Sequence, residues 1–293
     1  MILAAIDIGS NAARLLISEA KPYGNNTVDY TKLTLLRIPL RLGFDVFEQG
    51  YISEERKNRL VETMKAYKIL MDIYQVESFR ACATSAMRDA SNGPEIRKEI
   101  LAKTGIQIDI IDGGEEANII YETHVAENLD SNKSYLYIDV GGGSTEVTLF
   151  SKNRLVFKES FNIGTIRLLN NSVTEEQWDY MKNCIKKNTA AHQPVEAIGS
   201  GGNINKIFSL AKKKDGKPLP LELLKDYHRE LSASTVAERM HLYNLRADRA
   251  DVIVPALQIF LCIMRWCKAD EIYVPRIGLA DGLIKMLYAQ RRA

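Results

Sequence analysis

The alternation of apolar and polar residues divides the chain into two halves that contain the same order of elements. The first half predicts strands at about 2–8, 13–19, 27–42, 78–83 and 106–111. A helical spacing begins at Ser53, and a polar helix that ends at Gly105 separates the last two strands. Strands that alternate with helices indicate parallel pairing, so the pattern predicts an α/β fold.

The second half repeats this pattern after a polar turn near residues 130–133. It predicts strands at 135–140, 145–150, 154–161, 195–199 and 271–274. It predicts helices at about 174–190, 203–213, 222–244, 248–268 and 279–291. We therefore expect two domains, 1–128 and 129–293, with the final helix as a candidate to pack back on the first domain.

Two strand pairs are joined by glycine turns, IDIGSNAARLLI at 6–17 and IDVGGGSTEVTLF at 138–150. Their Asp-x-Gly steps lie 132 residues apart, which indicates a duplication. Neither GxxxxGK[ST] nor GxGxxG spacing is present, and here the glycines precede a strand, not a helix. A glycine hairpin can still direct backbone N–H groups into an anion-binding nest. The residues predicted to bind phosphate in these turns are Gly9, Ser10, Asn11, Gly141, Gly142, Gly143, Ser144 and Thr145.

Each hairpin carries a carboxylate at the end of its first strand, Asp7 in one case and Asp139 in the other. Mg²⁺ usually takes one or two carboxylates together with phosphate oxygens, so we predict a Mg²⁺ site at Asp7, Asp139 and Glu146. For a single hairpin, a tight turn capped by aspartate is an equally good explanation. Two hairpins at matching positions favour a metal site over two unrelated capped turns.

Composition and charge narrow the classes of function. Lys and Arg number 39 against 37 Asp and Glu, a net charge of +2 that gives no general affinity for nucleic acid. The four cysteines have no metal-ligand spacing and are interpreted as reduced core residues. The start has no basic signal-peptide region, and the longest apolar run, 252–264, is shorter than a membrane span. We expect a soluble, cytoplasmic protein without a membrane or nucleic-acid partner.

The motifs IDIGSNAARLLI, YIDVGGGSTEV and AIGSGGNI resemble the phosphate and nucleotide-side motifs of the actin, heat-shock ATPase and sugar-kinase superfamily. With DGGEEAN at 112–118 and RADRADVIVPAL at 246–257, the chain is similar to the exopolyphosphatase and guanosine pentaphosphate phosphohydrolase family over about residues 2–287. The resemblance implies two ribonuclease-H-like (actin-like) domains with mixed sheets flanked by helices, a cleft between them, and a homodimer. Ala12 departs from the family's usual serine, and no His-Asp pair is present, so we expect the short, two-domain form.

The resemblance also assigns roles to individual residues. It makes Glu116 the catalytic base, with Glu115 as the neighbouring alternative, although acids in a first helical turn are also common for electrostatic reasons alone. Glu146 is expected to hold a water or a metal ion. The further phosphate-binding residues are predicted to be Arg14, Arg249, Gly201 and Gly202.

The leading hypothesis is a Mg²⁺-dependent exopolyphosphatase that releases orthophosphate from inorganic polyphosphate, with a preference for shorter chains. The same chemistry on guanosine pentaphosphate is the alternative, and the sequence does not separate the two. An ATP-dependent phosphotransferase and an inactive sensor are less favoured, because no acceptor-site signature is evident and the carboxylates are retained.

Overall fold

The computed structural model describes residues 1–23, 27–116, 119, 130, 132–152, 154–275 and 278–292. The chain forms two compact units, one made of Met1–His124 and Gly278–Ala293, the other of Val125–Ile277. Each unit contains one mixed β-sheet with helices packed against it.

The first unit has a five-stranded sheet in the order β3-β2-β1-β4-β5. Its strands are Ile2–Ile8 (β1), Ala12–Tyr23 (β2), Thr27–Pro39 (β3), Ser78–Ala83 (β4) and Ile108–Ile110 (β5). The helices between them are Leu42–Gln49 (α1), Glu54–Ile73 (α2), Ser85–Asp89 (α3) and Gly93–Thr104 (α4).

The second unit has a six-stranded sheet in the order β10-β11-β9-β6-β7-β8. Its strands are Ser134–Val140 (β6), Thr145–Ser151 (β7), Arg154–Phe161 (β8), Val195–Ser200 (β9), Leu219–Pro220 (β10) and Glu271–Tyr273 (β11). Its helices are Thr165–Leu169 (α5), Glu175–Thr189 (α6), Gly202–Leu210 (α7), Leu221–Ser232 (α8), Val236–Leu242 (α9), Ala247–Ala250 (α10) and Ile253–Cys267 (α11), with a short 3₁₀ helix at Ala190–His192. The last helix of the chain is Leu279–Arg292 (α12).

The two sheets share one topology. In each, the first three strands are antiparallel neighbours, and the fourth pairs in parallel with the first. A fifth strand then extends the parallel side. The predicted fold class, an α/β protein with two mixed sheets of the ribonuclease-H-like type, is confirmed. The duplication inferred from the glycine turns extends to the five strands that the sheets share, and β10 adds a sixth strand to the second sheet.

Apolar side chains cover both faces of the first sheet. Helices α1 to α4 pack on one face, where Ile6, Leu15 and Tyr67 are buried. On the other face Leu3, Ala5 and Leu16 pack against α12 through residues such as Leu283. Without α12 this second face would be exposed to water. The first unit includes Gly278–Ala293, in agreement with the expectation that the final helix packs back on the first domain.

The second unit encloses one apolar cluster with α11 at its centre. The stretch Ala247–Cys267 is long and apolar enough to span a bilayer by length and composition. The apolar run at 252–264 is shorter and did not suggest a span. However, 61% of the span is buried inside the unit, and Ile259, Phe260 and Ile263 are almost inaccessible to solvent. Its apolar character is that of a core helix.

The differences from the predicted elements lie mainly in short helices. The helix expected at 222–244 is divided, because Thr235 forms a capping box with Glu238 and starts a new helix. The prediction for 248–268 is likewise divided into α10 and α11. Helices α1, α3 and α5 were not predicted, since helices this short show little or no apolar periodicity. The sequence also predicts a helix at 115–129, and of this range the structure describes only Glu115, Glu116 and Ile119.

Candidate active site

Both glycine turns close with the same hydrogen bond. The N–H of Gly9 donates to the carbonyl of Ala12 at 3.0 Å, and the N–H of Gly141 donates to the carbonyl of Ser144 at 2.9 Å. We name residues 9–12 the first hairpin loop and residues 141–144 the second hairpin loop. They occupy the same place in the two repeats, between the first and second strands of each sheet.

Helix α5 binds every carbonyl of the three glycines in the second hairpin loop. The backbone N–H groups of Thr165 and Ile166 donate to the carbonyls of Gly141 (3.0 Å) and Gly142 (2.9 Å). The third carbonyl, that of Gly143, accepts from Nε of Arg167 at 2.8 Å. All three carbonyls are therefore directed toward the helix.

This arrangement fixes the direction of the N–H groups in the loop. In a planar trans peptide, the N–H of one residue points opposite to the carbonyl of the residue before it. The N–H groups of Gly142, Gly143 and Ser144 therefore point away from α5, and within the part of the chain that the structure describes none of them donates to a backbone carbonyl. Consecutive N–H groups directed to one side can bind an anion such as phosphate.

The close approach of α5 depends on Gly164, which precedes the helix. A Cβ atom at this position would lie 2.4 Å from the carbonyl oxygen of Gly142. No other residue could occupy position 164 without displacing the second hairpin loop.

The first hairpin loop is held by the segment that leads into α1. The carbonyl of Ser10 accepts from the N–H of Gly43 at 2.9 Å, and the carbonyl of Asn11 accepts from the N–H groups of Leu40 and Arg41 at 3.1 and 2.9 Å. The N–H of Asn11 is thereby directed away from α1. The buried Ser10 hydroxyl lies 2.9 Å from the hydroxyl of Ser85 in α3.

In the second unit, four polar residues lie side by side across the sheet next to the hairpin. The strand register aligns Ser200, Asp139, Glu146 and Ser160 on neighbouring strands. Glu146 is only 4% exposed, and its Oε1 accepts a hydrogen bond from Ser160 Oγ at 2.9 Å. Asp139 lies directly opposite Glu146, so the two carboxylates share one face of the sheet.

The equivalent row in the first unit has a different charge pattern. The register aligns Asp109, Cys82, Asp7, Arg14 and Arg37. Arg14 occupies the place of Glu146, and its guanidinium lies 2.6 Å from the buried carboxylate of Asp7. Burial raises the pKa of the Cys82 thiol to about 12, so this neighbour of Asp7 is neutral at physiological pH.

This difference separates the predicted metal ligands. Asp139 and Glu146 place two carboxylates opposite each other, whereas the residue opposite Asp7 is Arg14, whose guanidinium pairs with it. Among the described residues there is no group of three or more His, Cys, Asp or Glu side chains that could hold a metal ion. The donor set of the second unit fits Mg²⁺, which binds one or two carboxylates and completes its shell with water and phosphate oxygens.

The two candidate bases follow β5 in the first unit. Asp112 begins a helical turn there, accepting the N–H of Glu115 on its side chain at 2.7 Å and the N–H of Glu116 on its carbonyl at 3.0 Å. The Glu115 carboxylate forms an ion pair with Arg80 at 3.0 Å, and Arg80 also contacts Asp109. Glu115 is thus committed to an ion pair, and Glu116 beside it is half-buried.

A second glycine segment of the second unit lies next to Asp139. Gly201 has a φ of +100°, and a Cβ atom there would lie 2.9 Å from Oδ1 of Asp139. The guanidinium of Arg249, in α10, donates to the carbonyl of Gly202 at the start of α7. The structure therefore brings Gly201, Gly202 and Arg249 to the Asp139 end of the sheet.

One predicted phosphate donor has another role in the fold. The hydroxyl of Thr145 donates to the carbonyl of Ile163 at 2.6 Å, and the residue is fully buried. Thr145 therefore anchors the segment before α5, and its proton is not available to a ligand.

Sequence reasoning missed the residues that hold the hairpins, chiefly Gly164, Arg167 and Ser160. The one signal that could have found them is the repeat itself, because in both halves the third strand is followed by a segment that returns to the hairpin. The predicted residues of the second unit lie around Asp139, whereas those of the first unit lie at the first hairpin loop and after β5. That both groups act on one substrate stays a prediction.

A model of the Ppx/GppA phosphatase family matches residues 26–290. The chain belongs to the Ppx/GppA phosphatase family. This confirms the resemblance inferred from the motifs.

Three relatives illustrate the range of the Ppx/GppA family. A bifunctional 3-dehydroquinate synthase/phosphatase of Fusobacterium nucleatum is 34% identical over 92% of the chain and 44% of its own length. A guanosine-5'-triphosphate,3'-diphosphate pyrophosphatase of Pseudoalteromonas translucida is 25% identical over 97% of the chain and 58% of its own length. The crystal structure of an exopolyphosphatase from Cytophaga hutchinsonii is 25% identical, with a TM-score of 0.85 over 99% of the chain and 98% of that structure. The chain thus spans about half the length of the two sequence relatives.

The contact between α5 and the second hairpin loop can be tested by adding one methyl group. Gly164→Ala places a Cβ against the Gly142 carbonyl, so we expect the free energy of unfolding to fall by about 1–3 kcal/mol. Gly278→Ala is the matched control because a Cβ there meets nothing within 4 Å, and it should change stability by less than about 0.5 kcal/mol. Equal urea midpoints for the two variants would contradict the close approach.

The pairing of Asp7 with Arg14 can be tested by a double-mutant cycle of Asp7→Asn and Arg14→Met, measured by urea unfolding. Because the Asp7 carboxylate is buried, we expect a coupling energy of about 1–3 kcal/mol. The exposed pair Glu62 and Lys65, at 2.7 Å, is the control and should couple by no more than about 0.5 kcal/mol. Additive effects at Asp7 and Arg14 would show that Asp7 is available to another cation.

Proposed function

We propose that this chain is a Mg²⁺-dependent exopolyphosphatase that releases orthophosphate from the end of an inorganic polyphosphate chain. The observation that carries this proposal is the row of N–H groups of Gly142, Gly143 and Ser144, directed away from α5 and beside the facing carboxylates of Asp139 and Glu146. Backbone N–H groups bind phosphate oxygens without requiring any other feature of the substrate, and polyphosphate offers nothing but phosphate.

In the proposed reaction, Glu116 accepts a proton from a water molecule that attacks the terminal phosphorus, and the bond from that phosphorus to the bridging oxygen breaks. The remaining chain leaves with the bridging oxygen. Glu116 is preferred over Glu115 because the family resemblance gives it the catalytic role and because the Glu115 side chain is exposed and held in an ion pair with Arg80.

The second hairpin loop has the binding role. Its N–H groups donate to the non-bridging oxygens of the terminal phosphate, on which negative charge is spread during transfer. Arg14 and Arg249 are proposed as further phosphate contacts. Mg²⁺ bound at Asp139 and Glu146, through its waters or directly, would supply positive charge to the phosphate oxygens.

Hydrolysis of guanosine pentaphosphate is the second candidate. It is favoured by the glycine segment at Gly201 and Gly202, which begins α7 beside Arg249 and could accept a further phosphate or a nucleoside. The Pseudoalteromonas relative carries this activity in its name.

A cytoplasmic homodimer without nucleic-acid or membrane partners completes the proposal.

The proposed base is tested by comparing two neighbouring isosteric substitutions, Glu116→Gln and Glu115→Gln. Phosphate release is measured from polyphosphate of defined length, guanosine pentaphosphate and ATP, with and without Mg²⁺. We expect Glu116→Gln to lower kcat by about 10²–10⁴. Glu115→Gln should cost less than about tenfold because it removes only an ion pair.

Near-normal turnover by Glu116→Gln would refute the assignment of the base. Faster release from guanosine pentaphosphate than from any polyphosphate would select the second candidate. Transfer of phosphate from ATP to an acceptor hydroxyl, without release from the other two substrates, would reject hydrolysis altogether.

The proposed metal site predicts different effects for the two aspartates. Glu146→Gln and Asp139→Asn should raise the Mg²⁺ concentration for half-maximal activity by about tenfold or more, since each removes a charged ligand. Asp7→Asn should change it much less, because Asp7 is paired with Arg14. An equal or larger shift for Asp7→Asn would move the proposed metal site to the first unit.

A further inference from the structure

The three carbonyls of the second hairpin loop are not held in the same way. Those of Gly141 and Gly142 accept from backbone N–H groups of α5, which belong to the fold and vary little with sequence. The carbonyl of Gly143 accepts from a side chain, Nε of Arg167. A single side chain therefore controls the orientation of the peptide bond between Gly143 and Ser144.

The first hairpin loop provides an internal comparison. Asn11 occupies the position equivalent to Gly143, and its carbonyl accepts from two backbone N–H groups, those of Leu40 and Arg41. The duplicated fold thus holds this carbonyl in both units, once through the backbone and once through Arg167. The same constraint, reached by different chemistry, indicates that the direction of this peptide matters.

We propose that Arg167 is a positioning residue that orients the N–H of Ser144 toward the bound phosphate. The inference rests on the proposed function, because it takes the second hairpin loop as the phosphate site. Loss of the bond from Arg167 frees the Gly143–Ser144 peptide to rotate, and glycine at position 143 offers little resistance to rotation. The N–H of Ser144 then no longer points toward the phosphate. The N–H groups of Gly142 and Gly143 keep their direction because α5 still holds the preceding carbonyls.

The alternative role for an arginine at this place is a direct charge contact with phosphate. Three substitutions of Arg167 separate the two roles. In Arg167→Gln the amide nitrogen is as many bonds from Cα as Nε, so the N–H donor is kept and the charge is lost. Arg167→Met has similar length but no donor, and Arg167→Lys keeps the charge but carries its nitrogen one atom farther out.

Arg97 offers a matched control in the first unit. Its Nε also donates to a backbone carbonyl, that of Ile108, at the same distance of 2.8 Å. Arg97 lies in α4 and is not part of either hairpin loop. Arg97→Met therefore reports what the loss of such a bond does to the fold alone.

Tripolyphosphate binding is measured in EDTA, where Mg²⁺-dependent turnover is absent, by calorimetry and by the amide ¹H–¹⁵N shifts of Gly142, Gly143 and Ser144. We expect all three amides of the unmodified protein to shift on binding. Arg167→Met should weaken binding about tenfold and abolish the Ser144 shift while the Gly142 shift remains. Arg167→Gln should bind tripolyphosphate within about threefold of the unmodified protein and regain the Ser144 shift. Arg167→Lys should do neither, and Arg97→Met should bind as the unmodified protein does.

Equal losses in Arg167→Gln and Arg167→Met, with retention in Arg167→Lys, would overturn the inference in favour of a direct charge contact. Unchanged binding and an unchanged Ser144 shift in Arg167→Met would overturn it outright. The proposed function fails separately: if tripolyphosphate binds with the expected pattern but no phosphate is released from any substrate with Mg²⁺, the inference stands and the hydrolase proposal does not.

Discussion

The planarity of the trans peptide bond is the constraint on which the candidate site depends. Because the carbonyl and the next N–H point in opposite directions, whatever holds the carbonyl also aims the N–H. In the second hairpin loop three successive carbonyls are held by α5 and Arg167, and three successive N–H groups point the other way. The loop glycines supply the freedom to adopt this arrangement, and Gly164 supplies the space for α5 to approach the loop.

The duplication explains why the chain has two such loops and why they differ. Both sheets place a hairpin, an aspartate and a facing residue at the same end, but the facing residue is Arg14 in one unit and Glu146 in the other. This single difference balances the charge of Asp7 and leaves two carboxylates together around Asp139. One ancestral arrangement can thus provide a neutralised carboxylate in one unit and a cation-attracting pair in the other.

Much of the fold could be predicted from the sequence, because the strands are long and their glycine turns recur at a fixed interval. The glycine at 105 marked a helix end correctly, and the helix predicted from 174 begins after Thr174, which forms a capping box with Gln177. The short helices α1 and α5 could not be found, since a few residues carry little periodic signal. The pairing of Asp7 with Arg14 and the use of the Thr145 hydroxyl within the fold also escaped prediction, because both depend on strand register and packing.

The most direct test of the account is a crystal structure of the Glu116→Gln variant with Mg²⁺ and tripolyphosphate. Phosphate oxygens are expected within about 3.2 Å of the backbone nitrogens of Gly142, Gly143 and Ser144, with the three glycine carbonyls still bound to α5 and Arg167. A phosphate chain bound elsewhere, or a second hairpin loop whose carbonyls have turned toward the ligand, would contradict it.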